Sequence, residues 1–147
     1  MSKLVQAFLS GAFFTFFLDF FLFLGMKLNY VDYYKIDLYY NPFFTDNQNI
    51  FVYLFFTILF GLLITYIENT KLNLIVIGGL LLLSLTTLIQ PIGHQVASIL
   101  FMQKNVTLQT NRFVYKGDIY YDGRTTISFY DNEIKKILTL KKEDLIK

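Results

Sequence analysis

Residues 11–25 read GAFFTFFLDFFLFLG. With its flanks the apolar run covers residues 4–26, and Asp19 is its only charge. A helix rises about 1.5 Å per residue and the hydrocarbon core of a bilayer is about 30 Å thick, so about 20 apolar residues suffice to cross it. This segment decides the fold class, because a run this long and apolar takes lipid as its solvent. It also poses a question, since an ionised carboxylate near the centre of a membrane helix costs on the order of 2.5–3.5 kcal/mol even on a lenient insertion scale. The run is longer than the apolar region of a secretory signal, follows a single Lys3 and lacks a small-residue cleavage pattern. A retained span is therefore expected rather than a cleaved leader.

Two further segments reach bilayer length without any charge: residues 50–67 (IFVYLFFTILFGLLITYI) and residues 72–89 (LNLIVIGGLLLLSLTTLI). Composition agrees, with 54% hydrophobic residues in a chain of 147 and a mean hydropathy of +0.46, above the usual range of a soluble domain. The absence of Cys removes disulfides, thiolate metal ligands and cysteine nucleophiles together. Abundant Phe, Tyr, Ile, Asn and Lys, with no Trp and only two Pro, is the signature of an AT-rich genome and points to a bacterial source.

The net charge of +2 is unevenly spread. Residues 103–147 hold nine Lys or Arg against six Asp or Glu, whereas residues 1–102 hold four against five. The boundary between a membrane part (1–102) and a C-terminal part (103–147) is set at Gln103 on this ground. The expected fold is membrane α-helical, with three transmembrane helices, followed by a small all-β SH3-like/OB-like C-terminal domain.

The connections refine this plan. Only Glu68-Asn69-Thr70-Lys71 separates the second and third spans, which predicts an antiparallel hairpin. Thr45-Asp46-Asn47-Gln48 has the form of a capping box and predicts the start of the second helix. Gln90-Pro91 ends or kinks the third, since proline lacks the donor and clashes with the preceding turn. Residues 92–102 (IGHQVASILFM) are too short to cross, and form an interfacial helix or a continuation of the third helix.

In the first span Gly11, Thr15 and Asp19 are spaced by four and share a helix face; in the second, Thr57, Gly61 and Thr65 do the same. If these helices run antiparallel with Met26 and Ile50 near one membrane surface, Asp19 is level with Thr57, Thr15 with Gly61, and Gly11 with Thr65. Small and hydroxyl residues permit close approach and hydrogen bonding in lipid. Asp19 then either donates in neutral form to a Thr oxygen or a carbonyl, or pairs with a basic residue of another subunit, or serves as a proton or cation site. A relay normally needs more than one ionisable group, and no other lies within these spans. Gly78-Gly79 in the third span is either a second close-contact point or a tolerated pair.

The loop before the second span is rich in tyrosine. Tyr33, Tyr34, Tyr39 and Tyr40, with Tyr30, suit either an interfacial belt or a contact surface for another membrane protein. The tail alternates polar and apolar residues, and Asp122-Gly123 between two such runs predicts a two-residue type I′ hairpin. A further strand ends before Lys116-Gly117, and Asp131-Asn132-Glu133 makes another turn. An excess of three positive charges in the tail is modest and no RNP-like motif is present, so nucleic acid is not an expected partner.

No catalytic residue, cofactor or metal ligand is expected. His94 is the only histidine, and no P-loop or nucleotide-binding glycine pattern occurs. The expected partners are the lipid bilayer and other membrane proteins or further copies of the chain. Three functional classes follow: a non-catalytic subunit or scaffold of a bacterial inner-membrane assembly; an oligomeric channel or transporter-like protein using Asp19; and a membrane-anchored small-barrel protein. The order of helices and barrel resembles, in layout, the small mechanosensitive channels and the short NfeD proteins. Lys27, Lys35, Lys104 and Arg112 lie on one side of the spans against Lys3 and Lys71 on the other, which favours a cytoplasmic C-terminal domain.

Overall fold

The structure, a computed structural model, describes residues 2–110 and 113–146. Helix α1 (Lys3–Met26) starts at Ser2, whose hydroxyl oxygen accepts from the Val5 N–H at 3.3 Å. Containing no proline, it runs unbroken into a π-helical turn, Lys27–Val31. Such turns are held in place by what packs around them. Here Tyr30 and Val31 are fully buried, and the Asn29 side chain donates to the Thr87 carbonyl at 2.8 Å.

Four more helices follow: α2 (Tyr40–Asn47), α3 (Ile50–Tyr66), α4 (Thr70–Thr86) and α5 (Gln90–Phe101). Asn49 caps α3, its side-chain oxygen accepting from Phe51 and Val52 N–H at 3.0 and 3.3 Å. Asn69 does the same for α4 at 3.1 and 3.2 Å. The capping box expected at Thr45–Gln48 is corrected: Thr45 to Asn47 finish α2, and the Thr45 hydroxyl donates back to the Asn41 carbonyl at 2.8 Å. Several cap-forming residues stand in a row here, and the last of them, next to the apolar run, takes the role.

The continuous helix Lys3–Val31 is long and apolar enough to cross a membrane. The pairs α2–α3 and α4–α5 qualify only when each is taken as one broken span, bent by 81° and 87°. Alone, α3 and α4 have 17 residues each, about 25 Å of helix. Both pack on α1 and make almost no contact with each other, although a short turn joins them.

The tail is a four-stranded antiparallel meander in the order β1 (Gln103–Gln109), β2 (Val114–Asp122), β3 (Thr126–Asp131), β4 (Lys136–Lys141). A short turn, Lys142–Asp144, carries the chain back to the first strand, where Thr110 bridges Leu145 and the Ile146 N–H donates to the Gln109 carbonyl at 2.8 Å. The sheet thereby curls toward closure around Ile119, Ile127 and Phe129.

One turn and one strand end are corrected. The connection after Asp122 spans Gly123, Arg124 and Thr125, and Gly123 does not take positive φ. The loop presents Arg124 to α2, where its Nε lies 2.8 Å from Asp46 and a terminal N–H donates to the Thr45 carbonyl at 3.2 Å. The strand expected to end before Lys116-Gly117 runs on through both, inside β2; a Cβ on Gly117 would stand 1.8 Å from the Tyr130 carbonyl, so the glycine serves close strand approach. The turn at Asp131 forms as expected, its carboxylate accepting from Glu133 and Ile134 N–H at 2.7 and 3.0 Å.

A register shift between Ile119 and Tyr121 gives β2 one residue more than β3. A bulge of this kind reverses the side-chain alternation beyond it. Ile119 therefore enters the core of the sheet, whereas Tyr121 enters a second core with Phe23, Met26, Tyr30, Val31, Phe43 and Ala97. The tail is thus fastened to the helices through shared packing, with Asn47 donating to the Tyr121 hydroxyl at 2.9 Å.

Two alanine substitutions test the packing. A Cβ on Gly61 would lie 2.2 Å from the Ala7 carbonyl, while one on Gly79 would meet nothing within 4 Å. Gly61→Ala is expected to lower unfolding stability in micelles by about 1–3 kcal/mol through forced separation of the backbones, whereas Gly79→Ala should be neutral or gain up to about 1 kcal/mol from helix propensity. Equal effects at both positions would contradict the arrangement.

Candidate functional site

Polar and aromatic residues converge at two places, one along the α1–α3 contact and one where the helices meet the sheet. At the first, a Cβ on Gly11 would stand 2.0 Å from the Thr57 carbonyl and 2.7 Å from the Gly61 nitrogen, so the backbones touch. Gly11, Thr57 and Gly61 therefore lie in one contact, but not at the expected levels. Gly61 faces Ala7 and Gly11 instead of Thr15, and Thr57 faces Gly11 instead of Asp19.

The shift follows from α1 outrunning α3. Asp19 stands beside the break between α2 and α3, where the Gln48 side chain donates to its carboxylate at 3.0 Å. Ile50 is therefore nearly level with Asp19, roughly two turns from Met26. The hydroxyls of Thr15, Thr57 and Thr65 are shielded and have no hydrogen-bond partner among the described residues. The expected donation from Asp19 to a threonine is replaced by the bond from Gln48. Tyr53, which the sequence did not single out, donates across the same seam to the Ala12 carbonyl at 2.9 Å.

At the second place His94 is the centre. Its ring lies 5.1, 5.4 and 5.5 Å from the rings of Tyr33, Tyr34 and Tyr30. Nε2 is 3.2 Å from the Tyr34 hydroxyl. Tyr34 packs on Tyr120 at 4.2 Å, Tyr120 stacks on Tyr130 at 5.7 Å, and the Tyr30 hydroxyl donates to the Tyr120 carbonyl at 2.8 Å. Of the four loop tyrosines, Tyr33 and Tyr34 pack in this cluster and Tyr40 donates to the Phe20 carbonyl at 3.1 Å. Tyr33 and Tyr39 remain exposed. Periodicity gave no signal for His94, Tyr30 or Tyr120, because their meeting depends on the α4–α5 bend.

Ser98 lies 3.4 Å from His94 Nδ1, but its hydroxyl donates to the His94 carbonyl at 2.7 Å, so its proton is spent on the helix backbone. The other ring nitrogen faces the Tyr34 phenol. Among the described residues no cluster of three or more His, Asp or Glu is placed to hold a metal ion.

Burial pushes the hydroxyls of Tyr34, Tyr120 and Tyr121 above the ordinary phenol range, against a lowering by the Asn47 hydrogen bond at Tyr121. The folded state thus favours the neutral phenols. Their contribution to docking is fully present below about pH 10, the free tyrosine value, and is lost as pH rises through the folded values. A phenolate absorbance titration should show a late-ionising group of tyrosines that shrinks in Tyr121→Phe. A single transition at the free value would contradict it.

No family model matches the chain, and neither a curated protein nor a solved structure is significantly similar to it.

Proposed function

We propose that the chain is a three-span integral membrane protein that acts as a non-catalytic subunit or scaffold of a bacterial inner-membrane assembly. In this view α1 crosses as one helix, and the α2–α3 and α4–α5 pairs each combine a span with a helix lying along the surface. The curled sheet, a small barrel of SH3-like or OB-like type, sits on the cytoplasmic side with Lys27, Lys35 and Lys104.

The observation that carries the subunit role is the state of α4. Ser84 is its only buried residue, Leu74, Ile75, Leu82 and Leu83 are exposed, and among the described residues nothing stands within 4 Å of a Cβ placed on Gly78 or Gly79. Each glycine costs about 1 kcal/mol of helix propensity, and lipid alone gives no return for it. A helix of another membrane protein seated on this face offsets the cost by close backbone approach.

The position of Asp19 supports a structural role over ion handling. With α3 as a span, Asp19 lies level with its first turn, at the rim of the hydrocarbon, where Gln48 and headgroup water share the carboxylate's solvation. Such a location does not meet the cost of a charge at the bilayer centre.

Gentle detergent extraction and co-purification test the proposal. The wild type should emerge with a membrane partner, and Gly79→Leu should lose it while remaining folded. Asp19→Asn should leave assembly and ion permeability unchanged. A chain that purifies alone contradicts the subunit role, and loss of ion flux in Asp19→Asn would favour the channel class.

A further inference from the structure

A groove of about 500 Å³ runs along one edge of α5 and is lined by Tyr34, His94, Gln95, Ser98, Ile99, Met102 and Lys104. The α5 contributors recur at positions 94, 95, 98 and 99, one helical face, with Met102 following at the C-cap. Tyr34 forms part of the facing wall, and Lys104 stands in β1, just beyond the end of the helix.

The lining is divided by chemistry. Tyr34, His94, Gln95 and Ser98 bring hydroxyl, imidazole and amide groups, and Lys104 brings a positive charge that has no carboxylate partner among the described residues. Ile99 is 76% exposed, and with Leu100 and Ile92 it gives α5 an uncovered apolar edge. The helix turns 87° from α4, so when α4 crosses a bilayer α5 lies along its surface. An amphipathic helix in that position buries its apolar edge at the boundary between headgroups and acyl chains. Donors and a cation beside that edge stand at phosphate level.

We propose that this groove binds the phosphate of an anionic phospholipid. Lys104 supplies the charge, the His94, Gln95 and Tyr34 groups supply hydrogen bonds, and Ile99 and Met102 contact the first methylenes of the acyl chains. The site rests on the membrane placement of the preceding section and adds the chemistry of the lipid it selects. A free inorganic phosphate would use the same donors but leave the apolar half of the groove empty.

The test uses the full-length chain in detergent, incubated with equal amounts of phosphatidylglycerol and phosphatidylcholine of matched acyl chains, with retained lipid read by native mass spectrometry. Phosphatidylglycerol should be retained in preference, by about fivefold, the factor expected for one basic residue at a headgroup. Lys104→Ala and Lys104→Gln should remove that preference, His94→Gln should weaken it, and Lys71→Ala, at the far end of α4, should leave it intact. Excess inorganic phosphate should not displace the lipid. Equal retention of the two lipids overturns the proposal, as does a preference that survives both Lys104 variants. Displacement by inorganic phosphate would assign the groove to the free ion. Membrane placement fails separately, if the chain stays dispersed in buffer without surfactant; a chain that needs detergent but shows no lipid preference removes only the groove assignment.

Discussion

Helices in lipid gain nothing from hiding apolar surface from one another, so their association depends on how closely their backbones fit. Here that fit is made by Ala7 and Gly11 on α1 against Thr57 and Gly61 on α3. The contact leaves no room for a Cβ, and so fixes the relative height of the two helices as well as their faces. Everything at the other end follows from that height. The last turns of α1, with the π-helical turn, project past the start of α3 and become the post around which α2, α5 and the sheet gather.

At this post the packing changes character. Along α1, α3 and α4 large apolar side chains point outward, among them Phe13, Phe51 and Leu74. Around the projecting end the most enclosed apolar residues of the helices occur, including Met26, Tyr30, Val31, Phe43 and Ala97, which have no exposed surface. The bulge in β2 delivers Tyr121 into the same core, and Gly25 admits Thr87 from the α4–α5 bend, where a Cβ would meet the threonine hydroxyl at 2.2 Å. The helices and the sheet therefore share one interior at the junction, and the groove beside His94 opens at its edge.

The sequence made the segments legible but not their heights. The charge-free runs marked α3 and α4, the polar residues at 68–71 marked the turn between them, and strand β1 begins at Gln103, where the charge distribution changes. The four-residue spacing marked faces of α1 and α3 from which Gly11, Thr57 and Gly61 meet. Their levels were not legible, because the alignment assumed that α1 ends where α3 begins. Nothing local announces that α2 turns by 81° and starts α3 beside Asp19. Asp122-Gly123 misled for a related reason: the loop runs on to Thr125 and carries Arg124 to Asp46, a contact with no local signature. His94 and Tyr120 had no local signature, since the residues that surround them come from the loop, from α5 and from the sheet.

The absence of cysteine allows a single spin label to be placed anywhere in the chain. Labels at Phe13→Cys, Ile58→Cys and Phe51→Cys, all exposed on α1 and α3, report depth in lipid bilayers through relative collisions with oxygen and with a polar nickel reagent. The α1–α3 register predicts that positions 13 and 58 share one depth within the hydrocarbon, and that position 51 lies near the headgroups. Labels at 13 and 58 at clearly different depths, or a label at 51 as deep as the one at 58, would contradict it.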